Sequence, residues 1–164
     1  MIQLEPWTQD DMPLLVELNA PNMTEHLGGP EAPEQLEKRL QRYIAAQTEE
    51  GRMFKVVVGE VPVGSVGFWD REWKGERVYE TGWGVVPEFQ GRQIASNAMQ
   101  MLIGVSRAAR RRSAMHAFPS VDNVPSNAVC RKLGFDLLGE TEFEYPKGHW
   151  MRCNDWRFVL GQYT

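Results

Sequence analysis

The chain has 164 residues, the length of one domain that buries roughly two thirds of the surface exposed by its unfolded chain. Apolar residues (42%) and charged residues (24%) lie near globular averages, which excludes a disordered chain and a fibre. The net charge of −4 argues against a dedicated nucleic-acid binder, because such a protein presents a basic face.

Signals for targeting and for metal binding are missing from the sequence. The N-terminus has no basic segment followed by an apolar core, and no run approaches the roughly 18 apolar residues that span a bilayer. Cys130 and Cys153 lack metal-type spacing, and the three histidines are scattered. We therefore expect a single cytoplasmic domain over residues 1–164, with no metal and no membrane partner.

The N-terminal third is predicted to form one strand and two helices. Thr8 supplies the N-cap of the first helix, Pro33 lies in the first turn of the second, and Gly51 closes it. The predicted order is a strand at residues 1–6, a helix at 8–19, a loop at 21–33 and a helix at 33–48.

The remaining two thirds predict an antiparallel meander followed by helices that alternate with strands. Gly134 stops the last helix, and Tyr145-Pro146-Lys147-Gly148 forms the last turn. The predicted elements are strands at 55–60, 63–70 and 77–86, a helix at 94–110, a strand at 114–118, a helix at 126–133, and strands at 135–138, or as far as 145, and at 151–160. This order is that of a mixed α/β domain with helices on both faces of a sheet.

The stretch of residues 85–110 combines a strand end, a glycine-containing turn and a helix. The first N–H groups of a helix have no partner inside it and carry partial positive charge, so a turn at this end can close on a phosphate. Arg92 adds a guanidinium at the same point. The alternative is an ordinary strand–turn–helix corner with an exposed arginine. The buried stripe predicted for the helix consists of Ile94, Ala98, Met101, Leu102 and Val105.

Two segments resemble the GNAT superfamily of acyl-CoA-dependent N-acyltransferases. The segment Val86-Pro87-Glu88-Phe89-Gln90-Gly91-Arg92-Gln93-Ile94-Ala95 is similar to the pyrophosphate motif Q/R-x-x-G-x-G/A, with Gln93 where the middle glycine is usual. The segment from Asn123-Val124-Pro125-Ser126 to Arg131-Lys132-Leu133-Gly134-Phe135 is similar to the family block N-x-x-S/A … K-L-G-F. The family fold implied is a mostly antiparallel sheet of six to seven strands with helices on both faces.

Within the superfamily the chain looks most like the branch that contains ribosomal-protein N-terminal acetyltransferases. The segments that carry this likeness are His26-Leu27-Gly28-Gly29-Pro30 and Asn154-Asp155-Trp156. That branch also contains members that act on small amines, so the resemblance leaves two acceptor classes open, a small-molecule amine and a peptide N-terminus.

The resemblance implies that acetyl-CoA is the cosubstrate. Backbone amides near the turn would hold its pyrophosphate together with Arg92, and the strand before the turn would align its pantetheine, with one amide near Val85 at the oxyanion. For Ser126 the alternative role is helix capping. The residues implied to bind the cosubstrate are Val85, Val86, Gln90, Gly91, Arg92, Gln93, Ile94, Ala95, Ser96, Asn123 and Ser126.

Glu80 is the candidate general base. Alternation along a strand puts it on one face with Gly82 and Gly84, which leave room for a ligand. An amine with a pKa of about 10 is almost entirely ammonium at neutral pH, so a carboxylate must accept its proton before the amine can attack. The alternative is a solvated or salt-bridged carboxylate, and Glu142 and Glu144 are weaker substitutes.

The proton for the departing thiolate has three candidate sources. Many members of the family use a tyrosine where this chain has Cys130, and a thiol there is either an acid or a packed core residue. Ser126 and solvent are the other sources. His116 is expected to be structural, and the candidates for walls of the acceptor pocket are Trp69, Trp73, Trp83 and Trp150.

The sequence therefore predicts an N-acetyltransferase that transfers an acetyl group from acetyl-CoA to a primary amine, with no nucleic-acid partner. The rival hypothesis is a non-catalytic acyl-CoA-binding regulatory module of the same fold, which Gln93 and Cys130 favour. Exposed strand edges are compatible with a homodimer.

Overall fold

The computed structural model describes residues 1–144 and 147–162, so Tyr145 and Pro146 of the predicted last turn lie outside the described residues. Within that part of the chain eight strands form one sheet. The strands are β1 (Ile2–Pro6), β2 (Gln47–Thr48), β3 (Gly51–Val58), β4 (Val61–Trp73), β5 (Glu76–Val85), β6 (Ala114–Ala117), β7 (Asp136–Glu144) and β8 (Trp150–Val159).

The described helices are α1 (Met12–Leu18), α2 (Pro21–Thr24), α3 (Pro33–Ala45), α4 (Ile94–Ala109) and α5 (Val124–Leu133). Short 3-10 turns at Gln9–Asp11 and Pro87–Phe89 precede α1 and α4. None of these helices is long and apolar enough to cross a membrane.

The sheet has the order β1-β3-β4-β5-β6-β8-β7, with β2 paired to the edge of β3. Neighbouring strands run antiparallel except β5 and β6, which are parallel. This confirms the predicted fold class and the predicted meander, which is β3, β4 and β5. A parallel pair needs a long crossover, and α4 supplies it.

Helices cover both faces of the sheet. On β5, Gly84 faces Leu18 of α1, whereas the hydroxyl of Thr81 lies 3.8 Å from the sulfur of Met99 in α4. Alternate residues of a strand point to opposite faces, so α1 and α4 lie on opposite sides of β5. The core is therefore formed by two apolar layers with the sheet between them.

The long helix α4 confirms the predicted helix at 94–110 within one residue, but the predicted buried stripe is partly wrong. Ile94, Ala98 and Leu102 are buried, whereas Met101 is 41% exposed. Met99 and Ile103 are buried instead. The sheet covers a wider arc of the helix than a single stripe, because α4 lies across several strands, namely β1, β4 and β5.

Two predictions in the N-terminal third are wrong. The predicted loop at 21–33 contains α2, which begins with Pro21 at its first turn. The second helix ends at Ala45 rather than residue 48, because the amide of Met53 donates to the carbonyl of Ala46 at 3.0 Å and draws Gln47–Thr48 into pairing with β3. Gly51 consequently begins β3 and does not close a helix.

Leu102 tests whether α4 rests on the sheet as described. The side chain is fully buried (0% exposed), so Leu102→Ala is expected to lower the free energy of unfolding by about 2–5 kcal/mol. The exposed Gln100 of the same helix provides the control, and Gln100→Ala is expected to change it by less than about 0.5 kcal/mol. Urea denaturation measures both, and equal effects of the two changes would contradict this seating.

Candidate active site

The parallel strands β5 and β6 separate within the sheet. Their pairing covers Tyr79 to Thr81 against Met115 to Ala117, and β5 then continues to Val85 while it stays paired with β4. Beyond Thr81 the two strands therefore diverge, and one edge of β5 faces an open wedge between the strands.

The backbone amides at the end of β5 alternate between β4 and this wedge. The amide of Val86 donates to the carbonyl of Val63 at 2.8 Å. In an antiparallel pair the amides of successive residues point in opposite directions, so the amide of Val85 points into the wedge. The sequence prediction that Val86 offers its amide to a ligand is wrong, because β4 already uses that amide. A role for the amide of Val85 stays a prediction.

The turn between β5 and α4 is held by its own side chains. Nε2 of Gln90 donates to the carbonyl of Val85 at 2.9 Å, so Gln90 braces the turn. Gly91 and Gln93 both have left-handed backbone conformations, with φ angles of 76° and 63°. Gln93 thus adopts the conformation that a glycine would adopt most easily, although it carries a side chain.

The N-terminus of α4 has free hydrogen-bonding capacity directed out of the helix. The first bond inside the helix joins the amide of Asn97 to the carbonyl of Gln93 at 3.1 Å, so the amides of Ile94, Ala95 and Ser96 precede it. The hydroxyl of Ser96 also donates to the carbonyl of Gln93, at 3.1 Å. Three such amides at the positive end of a sixteen-residue helix favour an anion.

Two cations lie at this turn. Arg92 is exposed, and its Cζ lies 5.0 Å from the ring centroid of Phe89. Nζ of Lys132, at the end of α5, donates to Oε1 of Gln93 at 3.1 Å. The sequence prediction missed Lys132 as a neighbour of the turn. In the sequence, Lys132 stood out only as part of the second family block, and that block does not show that the end of α5 lies beside the turn.

The beginning of α5 is fixed by two asparagines. Oδ1 of Asn123 accepts a hydrogen bond from the amide of Ser126 at 3.2 Å, so Asn123 is the cap and Ser126 is not. The side chain of Asn127 donates to the carbonyls of Ser120 and Asn123 and accepts from Trp156 of β8. These bonds hold the loop and the helix against the sheet, with both Asn123 and Ser126 at the surface of a cleft.

This cleft has a volume of about 900 Å³ and lies over the face of the sheet opposite α4. Glu80, Gly82 and Gly84 of β5 form part of its floor, as their alternation predicts. Other lining side chains come from α1, α2, β7 and β8, and include Leu18, Met23, Phe143 and Met151. The cleft therefore connects the open edge of β5 with Glu80, the candidate general base.

Glu80 is held by an ion pair. Its Oε1 accepts a hydrogen bond from Nη1 of Arg71 at 2.5 Å, and 19% of its side chain remains exposed. The sequence analysis gave a salt-bridged carboxylate as the alternative to a base. The structure shows that Glu80 is salt-bridged and that it also lines the cleft. Of the substitutes, Glu144 lines the cleft, and Glu142 does not.

Arg71 is in turn enclosed by aromatic side chains. Its Cζ lies 5.2, 5.3 and 4.8 Å from the ring centroids of Trp73, Phe118 and Phe143. Nε1 of Trp73 donates to Oδ2 of Asp155 at 3.0 Å. Of the four tryptophans predicted as walls of the acceptor pocket, Trp69 and Trp83 line the cleft. Trp73 contacts Arg71 and, like Trp150, is not part of the lining.

His116 belongs to the support of this cluster. Its Nδ1 lies 2.6 Å from Oδ1 of Asp155, and both side chains are buried. Nε2 of His116 is buried without a hydrogen-bond partner among the described residues. His116 does not line the cleft, which agrees with the structural role predicted for it.

The structure contradicts a catalytic role for Cys130. The side chain is 0% exposed within the hydrophobic core, and burial raises the pKa of its thiol to about 12. A thiol in this position has no route to a ligand in the cleft and is a weak acid. Cys153 was not predicted as a site residue, but it lines the cleft, and burial together with the charge of Glu80 raises the pKa of its thiol.

Metal ligands are not grouped in the part of the chain that the structure describes. No set of three or more His, Cys, Asp or Glu side chains there is arranged to hold an ion. The side chains that line the cleft include the carboxylates of Glu31, Glu80 and Glu144, the thiol of Cys153, hydroxyl groups and arginines.

Comparisons with solved structures show the same fold in several acetyltransferases. A GNAT-family acetyltransferase from Bacillus anthracis has 21% identity and a TM-score of 0.81, with 97% of this chain and 95% of that chain covered. An acetyltransferase from Salmonella typhimurium that modifies the N-terminal serine of ribosomal protein L7/L12 has 23% identity and a TM-score of 0.81, with coverages of 96% and 94%. The protein yncA from Salmonella typhimurium, solved with its cofactor acetyl-CoA, has 20% identity and a TM-score of 0.79, with coverages of 99% and 96%.

Comparisons of sequence give the family itself. A search of curated proteins finds no match. The family model described as the acetyltransferase (GNAT) domain matches residues 2–136, which is more than half of the 164 residues. The chain therefore belongs to the GNAT acetyltransferase family.

Proposed function

We propose that this protein is an N-acetyltransferase that transfers the acetyl group of acetyl-CoA to a primary amine by direct attack. The observation that carries the proposal is that one strand–turn–helix unit holds the amide of Val85, the amides of the first turn of α4 and Glu80, whose side chain lines the cleft. Family membership and the acetyl-CoA bound to yncA support it.

The diphosphate of CoA is assigned to the N-terminus of α4. The amides of Ile94, Ala95 and Ser96 donate to it, and the exposed Arg92 adds a charged donor. Lys132 lies close enough to Gln93 to add a second positive charge. Because Gln93 already has the left-handed conformation, the missing glycine of the family motif does not prevent this turn from forming.

The acetyl end of the cosubstrate is assigned to the wedge between β5 and β6. A pantetheine chain along the open edge of β5 completes the hydrogen bonding that β6 does not provide, in the manner of an added strand. The amide of Val85 then points towards the thioester, where it stabilises the oxyanion that develops during attack.

The chemical step removes two protons from the acceptor nitrogen and adds one to the CoA thiolate. The ammonium of the acceptor gives a proton to the carboxylate of Glu80, and the free amine attacks the carbonyl carbon of the thioester. A C–N bond forms and the C–S bond breaks, so the second amine proton is released and the CoA thiolate gains one. We assign the thiolate's proton to the hydroxyl of Ser126, which recovers a proton from water, or to water directly, since both have access to the cleft and Cys130 does not.

A non-catalytic acyl-CoA-binding module remains the rival function. Two sequence features favoured it, Gln93 in place of a glycine and Cys130 in place of a tyrosine. The first feature is weaker support because Gln93 adopts the left-handed conformation of a glycine. The second is weaker support because Cys130 is buried, and Ser126 and water are left as proton sources. The cytoplasmic location, the homodimer and the single-domain extent stay predictions.

The anion site is tested with Arg92. Arg92→Ala is expected to raise the Kd for CoA about tenfold, because hydrogen bonds to charged groups contribute about 1.5–3 kcal/mol. Arg152 is an exposed arginine on β8, paired with Glu140, and serves as the control. Isothermal titration calorimetry should show an unchanged Kd for Arg152→Ala. Equal affinities for both variants and the wild type would remove Arg92 from the site.

The base is tested with Glu80. Glu80→Gln is expected to lower kcat by about 10²-fold or more, the usual contribution of general acid–base catalysis, and to remove the limb of the pH–rate profile that reports the base. Affinity for CoA should not change. Glu72 of β4 is exposed and provides the control substitution Glu72→Gln. Release of CoA thiol measures turnover, and unaltered turnover in the Glu80 variant would exclude Glu80 from the mechanism.

The source of the proton that the CoA thiolate gains is tested by comparing Ser126 and Cys130, which lie one helical turn apart on α5. Ser126→Ala is expected to lower kcat, whereas Cys130→Ala should leave kcat unchanged and lower the free energy of unfolding, since its thiol is packed in the core. Steady-state kinetics and urea denaturation of both variants separate the effects. A fall in kcat for a fully folded Cys130→Ala would reverse our assignment.

A further inference from the structure

The floor of the cleft carries a fixed pair of opposite charges that the reaction alone does not require. Glu80 is sufficient to take a proton, yet Arg71 lies in direct contact with it, and both side chains line the cleft. Arg71 is 32% exposed, so part of its guanidinium faces the ligand space.

Arg71 is held by contacts that leave its hydrogen-bond donors available. Aromatic rings contact a guanidinium through its flat face and do not use the N–H groups in its plane. Within residues 1–144 and 147–162, the guanidinium of Arg71 donates a hydrogen bond from Nη1 to Oε1 of Glu80. A guanidinium has five N–H donors, so several remain for a ligand.

The position of Arg71 is also reinforced from behind. Trp73 contacts Arg71 and bonds Asp155, and Asp155 bonds the buried His116. Two of these three groups are fully enclosed by protein, so the indole has little freedom to move. The guanidinium is therefore a preorganised element of the cleft and not a flexible surface charge.

A close pair of opposite charges discriminates between ligands. A ligand with one charge is attracted by one member of the pair and repelled by the other. A ligand with an ammonium and a carboxylate separated by one carbon can align both groups with the pair, ammonium at Glu80 and carboxylate at Arg71. Bidentate contact between carboxylate and guanidinium adds to this preference.

We propose that the acceptor is a free α-amino acid with an apolar or aromatic side chain, bound through the Glu80–Arg71 pair. This inference rests on the proposed function of the same cleft. Trp69, which pairs with Glu80 across the strands, and Phe143, which contacts Arg71, line the cleft together with Met151 and provide apolar contacts for the side chain. A peptide N-terminus places a neutral carbonyl where the free acid has a carboxylate, and so leaves Arg71 without its charged partner.

The reaction itself weakens this binding once it is complete. The ammonium of the amino acid gives its proton to Glu80, and its nitrogen then becomes a neutral amide. The product keeps its carboxylate but has lost the positive charge that bound Glu80. Acetylation therefore removes one of the two ionic contacts and favours release of the product.

The first experiment uses the unmodified full-length protein with acetyl-CoA. L-phenylalanine, L-phenylalaninamide and phenethylamine are compared by release of CoA thiol at pH 7.5. We expect kcat/KM for L-phenylalanine to exceed both others by about tenfold or more, as for a lost charge-assisted hydrogen bond. The difference in amine pKa favours L-phenylalaninamide instead, because an α-amino group next to an amide has a pKa of about 7.7–8.0 and is more often uncharged.

The second experiment uses the ratio of kcat/KM for L-phenylalanine to that for L-phenylalaninamide. Arg71→Gln should reduce this ratio to near one, and Arg71→Lys should keep part of it. A ratio taken on one variant cancels any change in the fraction of folded enzyme. Arg77 lies on β5 and is exposed, so Arg77→Gln is the matched control and should keep the wild-type ratio.

The outcomes separate the inference from the proposed function. Turnover of the amide, of phenethylamine or of a serine-initiated peptide at rates equal to or above that of L-phenylalanine would overturn the amino-acid assignment alone. An unchanged ratio in Arg71→Gln would overturn the role of Arg71. CoA binding without turnover of any of these amines would overturn both the assignment and the proposed acetyltransferase.

Discussion

The proposed site depends on the end of β5, which is paired with β4 but no longer with β6. Val86 stays bonded to Val63 of β4, which keeps the end of β5 rigid, while pairing with β6 ends at Thr81. Backbone amides of a strand need partners, and an edge that the sheet does not complete is a binding surface for an extended chain. The cleft, the direction of the Val85 amide and the start of α4 all follow from this separation.

A second constraint is that the proposed anion site is built from the main chain. Amides at the start of α4 are available whatever side chains surround them, provided that the turn adopts left-handed conformations at Gly91 and Gln93. A non-glycine residue in that conformation costs roughly 1 kcal/mol or more. The packing of α4 against the sheet holds the turn in place despite this cost, and the side chain of Gln93 gains a bond from Lys132.

The sequence predicted features that depend on local pattern. The helical period located α4, Gly134 ended α5 with a φ angle of 89°, and strand alternation put Glu80, Gly82 and Gly84 on one face. It did not predict β2, which has two residues and exists through pairing with β3. Nor did it predict that Arg71 meets Glu80, because that contact depends on the register between β4 and β5 and on Phe118 and Phe143 from two further segments. The sequence also left open whether Cys130 is an acid or a packed core residue, since a family motif does not determine how deeply a helix is covered.

Hydrogen exchange of individual amides, followed by NMR with and without CoA, tests the central claim most directly. The account predicts that CoA slows the exchange of the amides of Val85, Ile94, Ala95 and Ser96, while Val86 changes little because β4 already protects it. Protection confined to another part of the molecule, or no change at the start of α4, would contradict the assignment of this turn as the site for the CoA diphosphate.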